Sequence, residues 1–177
     1  MHQMLTLLSE KPVAAAAGIL GMLCFVTYPL FRARPLLLTV YLGNNVAFAA
    51  HYALLDHATA AIMNMVMAVQ TLVAIGLVRW PSLRWTYYAL IPVLLGAAAM
   101  TWQGWLTLLP ATAATLSTLG RMQSNETALR ALLLVSAPFW AVHDVLVGSL
   151  PGEVSDVFCI AAGSWMLFQH LRMTGIS

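Results

Sequence analysis

Charge is scarce in this sequence. Only 8% of its 177 residues are Asp, Glu, Lys or Arg, against about 25% in soluble domains, while 61% are hydrophobic. A domain of this size leaves much of its surface in water, so a soluble fold has no place for so much apolar area. A bilayer does, and the chain is expected to be an integral membrane protein. Its basic residues are too few for a nucleic-acid interface. Its two cysteines, Cys24 and Cys159, each lie inside an apolar run; they form no disulfide framework and read as small buried hydrophobes. Cys-x-x-Cys, His-Glu-x-x-His, a Gly-rich phosphate loop and Gly-x-Ser-x-Gly are all missing, so no metal, cofactor or enzymatic motif is recognisable. The single lysine, Lys11, precedes the first apolar run, which excludes a retinal Schiff base in the last span. Ser164 in "AGSW" has no evident base on its own helix, which argues against a membrane protease. A haem held between His51 and His143 would lie near one surface, and a dihaem protein would need further histidine pairs. No enzyme and no cofactor is expected.

What is present is a series of long, continuous apolar runs such as "PVAAAAGILGMLCFVTYPLF". Barrel strands would alternate instead, so the spans are helical. Seven segments are expected, at 13–31, 36–55, 58–78, 83–100, 104–122, 128–148 and 153–172, each long enough to cross ~30 Å of hydrocarbon at about 1.5 Å per residue. The first follows a short mixed leader and reads as a span rather than a cleaved signal. Arg32 and Arg34, Arg79 and Arg84, Arg121 and Arg130, and Arg172 fall in every second connection and after the last span. Basic connections stay cytoplasmic, which places the N-terminus outside and the C-terminus inside. The topology implied is that of a multi-pass membrane protein.

Against this background the polar residues stand out. "FWAVHDVLVGSLPGEVSDVF" packs a His, two Asp and a Glu into a nearly uncharged chain, and "FAAHYALLDHATAAIMNM" carries a His and then an amide at the same spacing. Shifting the sequence by 92 residues lays His51 on His143, Asn64 on Asp156, Phe48 on Trp140, Ala49 on Ala141 and Leu54 on Leu146. The rare residues carry this signal. Spans one to three map onto five to seven with span four left over, so the repeats run parallel. The expected fold is all-α: two parallel three-helix bundles, residues 1–80 and 103–177, joined by a linker helix within 81–102. Such repeats bring equivalent positions to one central path.

The stretch "WAVHDVLVGSLPG" resembles the W-x-x-H-[N/D] … G-S-[I/L]-x-G segment of the YgjV-like bacterial inner-membrane proteins; "LLPATAATLST" and "AIMNMVMAVQTLVAI" resemble their fifth and third spans. The resemblance covers most of the chain and extends distantly to SWEET sugar transporters, PQ-loop proteins and nicotinamide riboside carriers, which share the three-plus-one-plus-three layout. It implies a substrate site lined by an aromatic residue of the second helix and an Asn of the third, repeated in the second half. Asn64 and Asp156 take the third-helix role here, with His51 and His143 near the aromatic one. The chain departs from the pattern in lacking the Pro-Gln pair and in placing Asp where the second Asn stands, which puts a sugar substrate in doubt.

Each candidate has a plainer reading beside it. Asp156 is an ionisable group at membrane depth, or an acid in the first turn of span seven that complements the helix dipole. Asn64 lines a site, or makes an interhelical hydrogen bond. His51 and His143 are proton-competent imidazoles at the mouth of a path, or headgroup-wetted interfacial residues. Asn44 and Asn45 point about 100° apart on a helix, so one is expected to pack and the other to line the path. Pro138 is a gating hinge or a static kink; Pro92 and Pro110 are expected to break spans four and five. Trp140, inside a span, suits stacking against a solute, whereas Trp80, Trp85, Trp102 and Trp105 suit the interface. The function expected is a transporter or facilitator for a small polar solute, with lipid and solute as partners and a homo-oligomer possible. The alternative is a non-transporting membrane scaffold or receptor.

Overall fold

The structure, a computed structural model, describes residues 10–27, 31, 34–76, 80–123 and 125–174. Among them are seven α-helices and no strand: α1 (Pro12–Thr27), α2 (Arg34–Leu54), α3 (Ala58–Gly76), α4 (Arg84–Met100), α5 (Leu108–Met122), α6 (Glu126–Val147) and α7 (Leu150–Thr174). One turn of 3₁₀ helix, Pro81–Leu83, leads into α4. Arg32 and Arg79, two of the charges used for orientation, lie outside the described residues.

The joints follow from local chemistry. Pro12 opens α1, where its missing N–H costs nothing. Gly148 ends α6 in the left-handed conformation (φ 68°), which glycine adopts without strain. Ser149 then caps α7: its hydroxyl accepts the Gly152 N–H at 3.3 Å, and Pro151 sits in the first turn. This two-residue joint starts α7 at Leu150 rather than at 153. Asp56 turns the α2–α3 connection with φ 65°, a conformation that Asp tolerates better than most residues. Asn125 caps α6 by accepting the Ala128 N–H. Span five also begins later than expected. Pro110 therefore lies in the first turn of α5 and breaks nothing, since no intrahelical bond needs its N–H there.

Packing forms a ring of six helices. α1 packs on α2, α2 on α3, α5 on α6 and α6 on α7; α3 meets α5 and α7 returns to α1. α4 lies across the α3–α5 seam, held by a core of Met63, Val66, Met67, Leu90, Leu94, Ala98 and Ala114. On α1 the buried residues are Ala14, Ala15, Gly18 and Gly21, the small-residue face that lets helices approach closely in a bilayer. A Cβ on Gly21 would come within 2.8 Å of the Phe48 ring. Outward, large apolar side chains such as Leu20, Val46, Leu72, Leu95, Val157 and Trp165 are exposed. Trp80, Trp85, Trp102 and Trp105 are exposed at helix ends, as an interfacial belt requires. Ala58–Gly76 and Thr127–Val147 are by themselves long and apolar enough to cross a membrane.

Candidate functional site

Inside the ring lies a cavity of about 130 Å³ to which all six ring helices contribute. Its size is close to that of a cavity of about 150 Å³ that admits benzene. Unlike such apolar cavities it is lined by Asn44, Asn45, Asn64, Ser117, Ser136 and Asp156, with Phe48 and Trp140 as aromatic walls. Four of the residues singled out as site candidates, together with Trp140, are thus neighbours of one space.

The amides are held in fixed attitudes. Asn44 donates to the Gly21 carbonyl of α1 at 3.2 Å. Asn45 donates to its own helix at Tyr41 O and to the Thr71 hydroxyl of α3 at 3.3 Å, leaving its buried Oδ1 without a partner among the described residues. Both line the cavity, which corrects the expectation that only one would: adjacent residues splay to α1 and α3 on either side of a space wide enough to touch both. Asn64 donates to Ala60 O of its own turn at 3.0 Å rather than across helices. Ser117 donates to Ser136, joining α5 to α6 at 3.0 Å.

One end of the cavity is acidic. The Tyr52 hydroxyl of α2 lies 2.7 Å and 2.8 Å from the two carboxylate oxygens of Asp144 on α6. His143 Nδ1 is 2.9 Å from Asp144 Oδ1, with both groups buried. The Asp156 carboxyl of α7 lines the same cavity as Asp144, one turn beyond Gly152, against which Asp144 Oδ2 packs. Asp156 Oδ2 is buried and receives no N–H or O–H donor among the described residues. With α7 starting at Leu150, Asp156 sits in the second turn, so it is neither a cap nor a first-turn acid. Gly152 makes room for this cluster: a Cβ there would overlap Asp144 Oδ2 and lie 2.7 Å from the Ser149 hydroxyl. Phe48, Tyr52 and Trp140 form a stack beside it, with centroids 5.8 Å and 6.2 Å apart.

The opposite end is basic. Arg121, in the last turn of α5, donates to Gln70 Oε1 of α3 at 2.6 Å and to the Tyr41 hydroxyl of α2 at 2.7 Å, and Gln70 donates to Thr118. Tyr41 and Tyr52 both line the cavity. Eleven residues of α2 separate them, roughly 16 Å at the helical rise.

The two histidines do not share a mouth. His51 is fully buried and outside the cavity lining. Its Nδ1 lies 2.7 Å from the Ala14 carbonyl and so donates to it; its Nε2 then accepts from the Ser149 hydroxyl at 2.9 Å. It ties α1, α2 and the α6–α7 joint together. His143 instead stands edge-on to His57 of the α2–α3 connection, centroids 6.0 Å apart. A second cavity of about 10 Å³ is lined by both, with Thr59, Gln103 and Thr107. Pro138 lies inside α6, one residue from the lining residue Ala137. No group of three or more His, Cys, Asp or Glu among the described residues is arranged to hold a metal ion.

Residues 12–174 match the family model of Imp-YgjV, bacterial inner membrane protein. The chain belongs to this family. As a member it is a multi-pass protein of the bacterial inner membrane. No curated protein and no solved structure matches it.

Tyr52, Asp144 and Arg121 are the site residues that the sequence reading passes over. Tyr52 and Asp144 stand 92 residues apart, the same shift that lays His51 on His143, but as unlike residues they leave no mark in a search for matches. Arg121 reads as a topological charge, because sequence alone does not say that its side chain turns inward.

Proposed function

We propose that this family member is a transporter or facilitator that moves a small polar solute through the central cavity by alternating access. α1–α3 and α5–α7 act as two like-oriented repeats with α4 as linker, the N-terminus outside and the C-terminus inside. The carrying observation is that one cavity with polar groups in its lining has, at each end, side-chain hydrogen bonds that cross between the halves. Tyr52–Asp144 is the clasp at the acidic end and Arg121 with Gln70 and Tyr41 the clasp at the basic end. Opening one clasp while the other holds would expose the cavity to one side at a time.

The repeat is supported by reciprocity. His51 meets Ser149 and His143 meets His57. Adding 92 to 51 and to 57 gives 143 and 149, so each half offers its histidine to the same position of the other's connection. The ring contacts obey the same exchange, since α3–α5 and α7–α1 are equivalent seams. Cavity size limits the cargo to roughly the bulk of a benzene-sized molecule, and amides, hydroxyls and a carboxyl select for polar groups.

The test is uptake into proteoliposomes of a panel of small neutral and cationic solutes, comparing wild type with Asp156→Ala and Asn64→Ala. Loss of uptake by about tenfold or more in both variants supports the reading. If both behave as wild type for every transported solute, the cavity is not the path. If no solute of this size crosses, the scaffold or receptor alternative takes its place.

A further inference from the structure

We propose that Asp144 and Asp156 share one exchangeable proton and that His143 and His57 pass it between the cavity and the aqueous end at the α2–α3 connection. Resting on the transport reading above, this makes the proton the coupling ion of that site.

The geometry needs a proton at the pair. Two carboxyls line one cavity, Asp144 against Gly152 and Asp156 one turn further along α7, and adjacent carboxylates cannot both ionise cheaply. Asp144 already accepts from Tyr52 and stands against His143. Asp156 Oδ2 has no donor among the described residues, and a proton held between the carboxyls satisfies it. The other titratable groups around the pair are His51 and Tyr52 from α2, and Glu153 and Cys159 from α7. His57, Asp56 and Lys11 stand beyond His143. No Lys or Arg among the described residues forms an ion pair with either carboxyl, since Lys11 pairs with Asp56 and Arg121 is bound at the far end.

The route is continuous. Asp144 Oδ1 hands the proton to His143 Nδ1, 2.9 Å away, while His143 in its Nε2–H tautomer releases that hydrogen. The small cavity lined by His143 and His57 has about the volume one water needs; through it the proton reaches the His57 ring and then bulk water. One proton enters and one leaves, and each imidazole ends neutral. Burial first, and the neighbouring His143 second, hold His57 below the ordinary imidazole range, which keeps it a free acceptor at neutral pH.

The test is infrared spectroscopy of the purified protein in lipid, following the C=O band of protonated carboxyls from about pH 5 to about pH 9. The chain has six acidic residues, so single substitutions assign the band. Wild type should show a band that persists at neutral pH and is lost in Asp156→Asn and in Asp144→Asn. His57→Gln should keep it but slow its response to a pH jump by about 10²-fold. No such band in wild type, or one that survives both Asn variants, overturns the shared proton. A wild-type response in His57→Gln overturns the route. If the Asn variants do not fold, the wild-type titration and His57→Gln decide. The readout needs no solute, so it stands apart from the uptake assay. Uptake indifferent to an imposed pH gradient would refute coupling and leave transport intact.

Discussion

His51 and His143 stand 92 residues apart, each reaching the connection of the opposite half, yet their surroundings differ in kind. His51 is clamped by a backbone carbonyl and a serine hydroxyl, partners that neither gain nor lose a proton near neutrality. His143 lies between a carboxylate and a second imidazole. The following residue sets the difference: Tyr52 after one, Asp144 after the other. On the proposed repeat, one copy of the frame serves as a bolt and the other is turned toward the proposed proton chemistry.

That contrast can be broken from either side. The largest effect is expected from Asp144→Ala, which strips Tyr52 and His143 of a buried partner together; about 3–5 kcal/mol of stability should be lost, read by thermal unfolding in detergent. His51→Ala removes a sealed ring and two hydrogen bonds and should cost about 2–4 kcal/mol, while leaving the carboxyl infrared band in place. Gly152→Ala pushes a methyl into Asp144 and Ser149 and should cost about 1–3 kcal/mol. Tyr52→Phe, which leaves Asp144 its other neighbours, should cost about 1 kcal/mol and weaken closure of the acidic end, seen as faster labelling of a cysteine placed at Asn64.

The smallest effect sharpens the comparison most. His57→Ser gives His143 the kind of partner that His51 has. The folded-state pKa of His57 is lowered from the ordinary 6.5, by burial first and His143 second. Its stabilising contribution is therefore full above about pH 6.5 and lost as the pH falls through the folded value. His57→Ser should remove that acid-side slope, at a cost under about 1 kcal/mol at neutral pH.

Much of the frame can be read from the sequence because helix breakers and rare polar residues survive in so apolar a background. Gly148 and Pro151 mark a joint, and the matches of His51 with His143 and of Asn64 with Asp156 give the period on which the proposed repeat rests. Three things cannot be read so. "GSLPGE" marks a joint without revealing that Ser149 caps at once, and so the depth of Asp156 comes out one turn short. Tyr52 and Asp144 occupy matching positions but bond to each other, and contact across an axis leaves no trace in a self-alignment. For Asn44 and Asn45, helical angle alone says they diverge; the width of the space between α1 and α3 decides that both reach it.

The ring's two seams are unequally built. Between α3 and α5 a broad bed of methionine, valine, leucine and alanine binds α4 across the join; between α7 and α1 the helices pack directly, Gly18 against Pro151, with the His51 clamp beside them and, among the described residues, no helix laid across. If the halves tilt, the seam bridged by α4 is the pivot and the unbridged one is the side that gapes. Lipids bordering α1 and α7 would then sense each cycle as a change in local thickness, and those beside α4 would scarcely move.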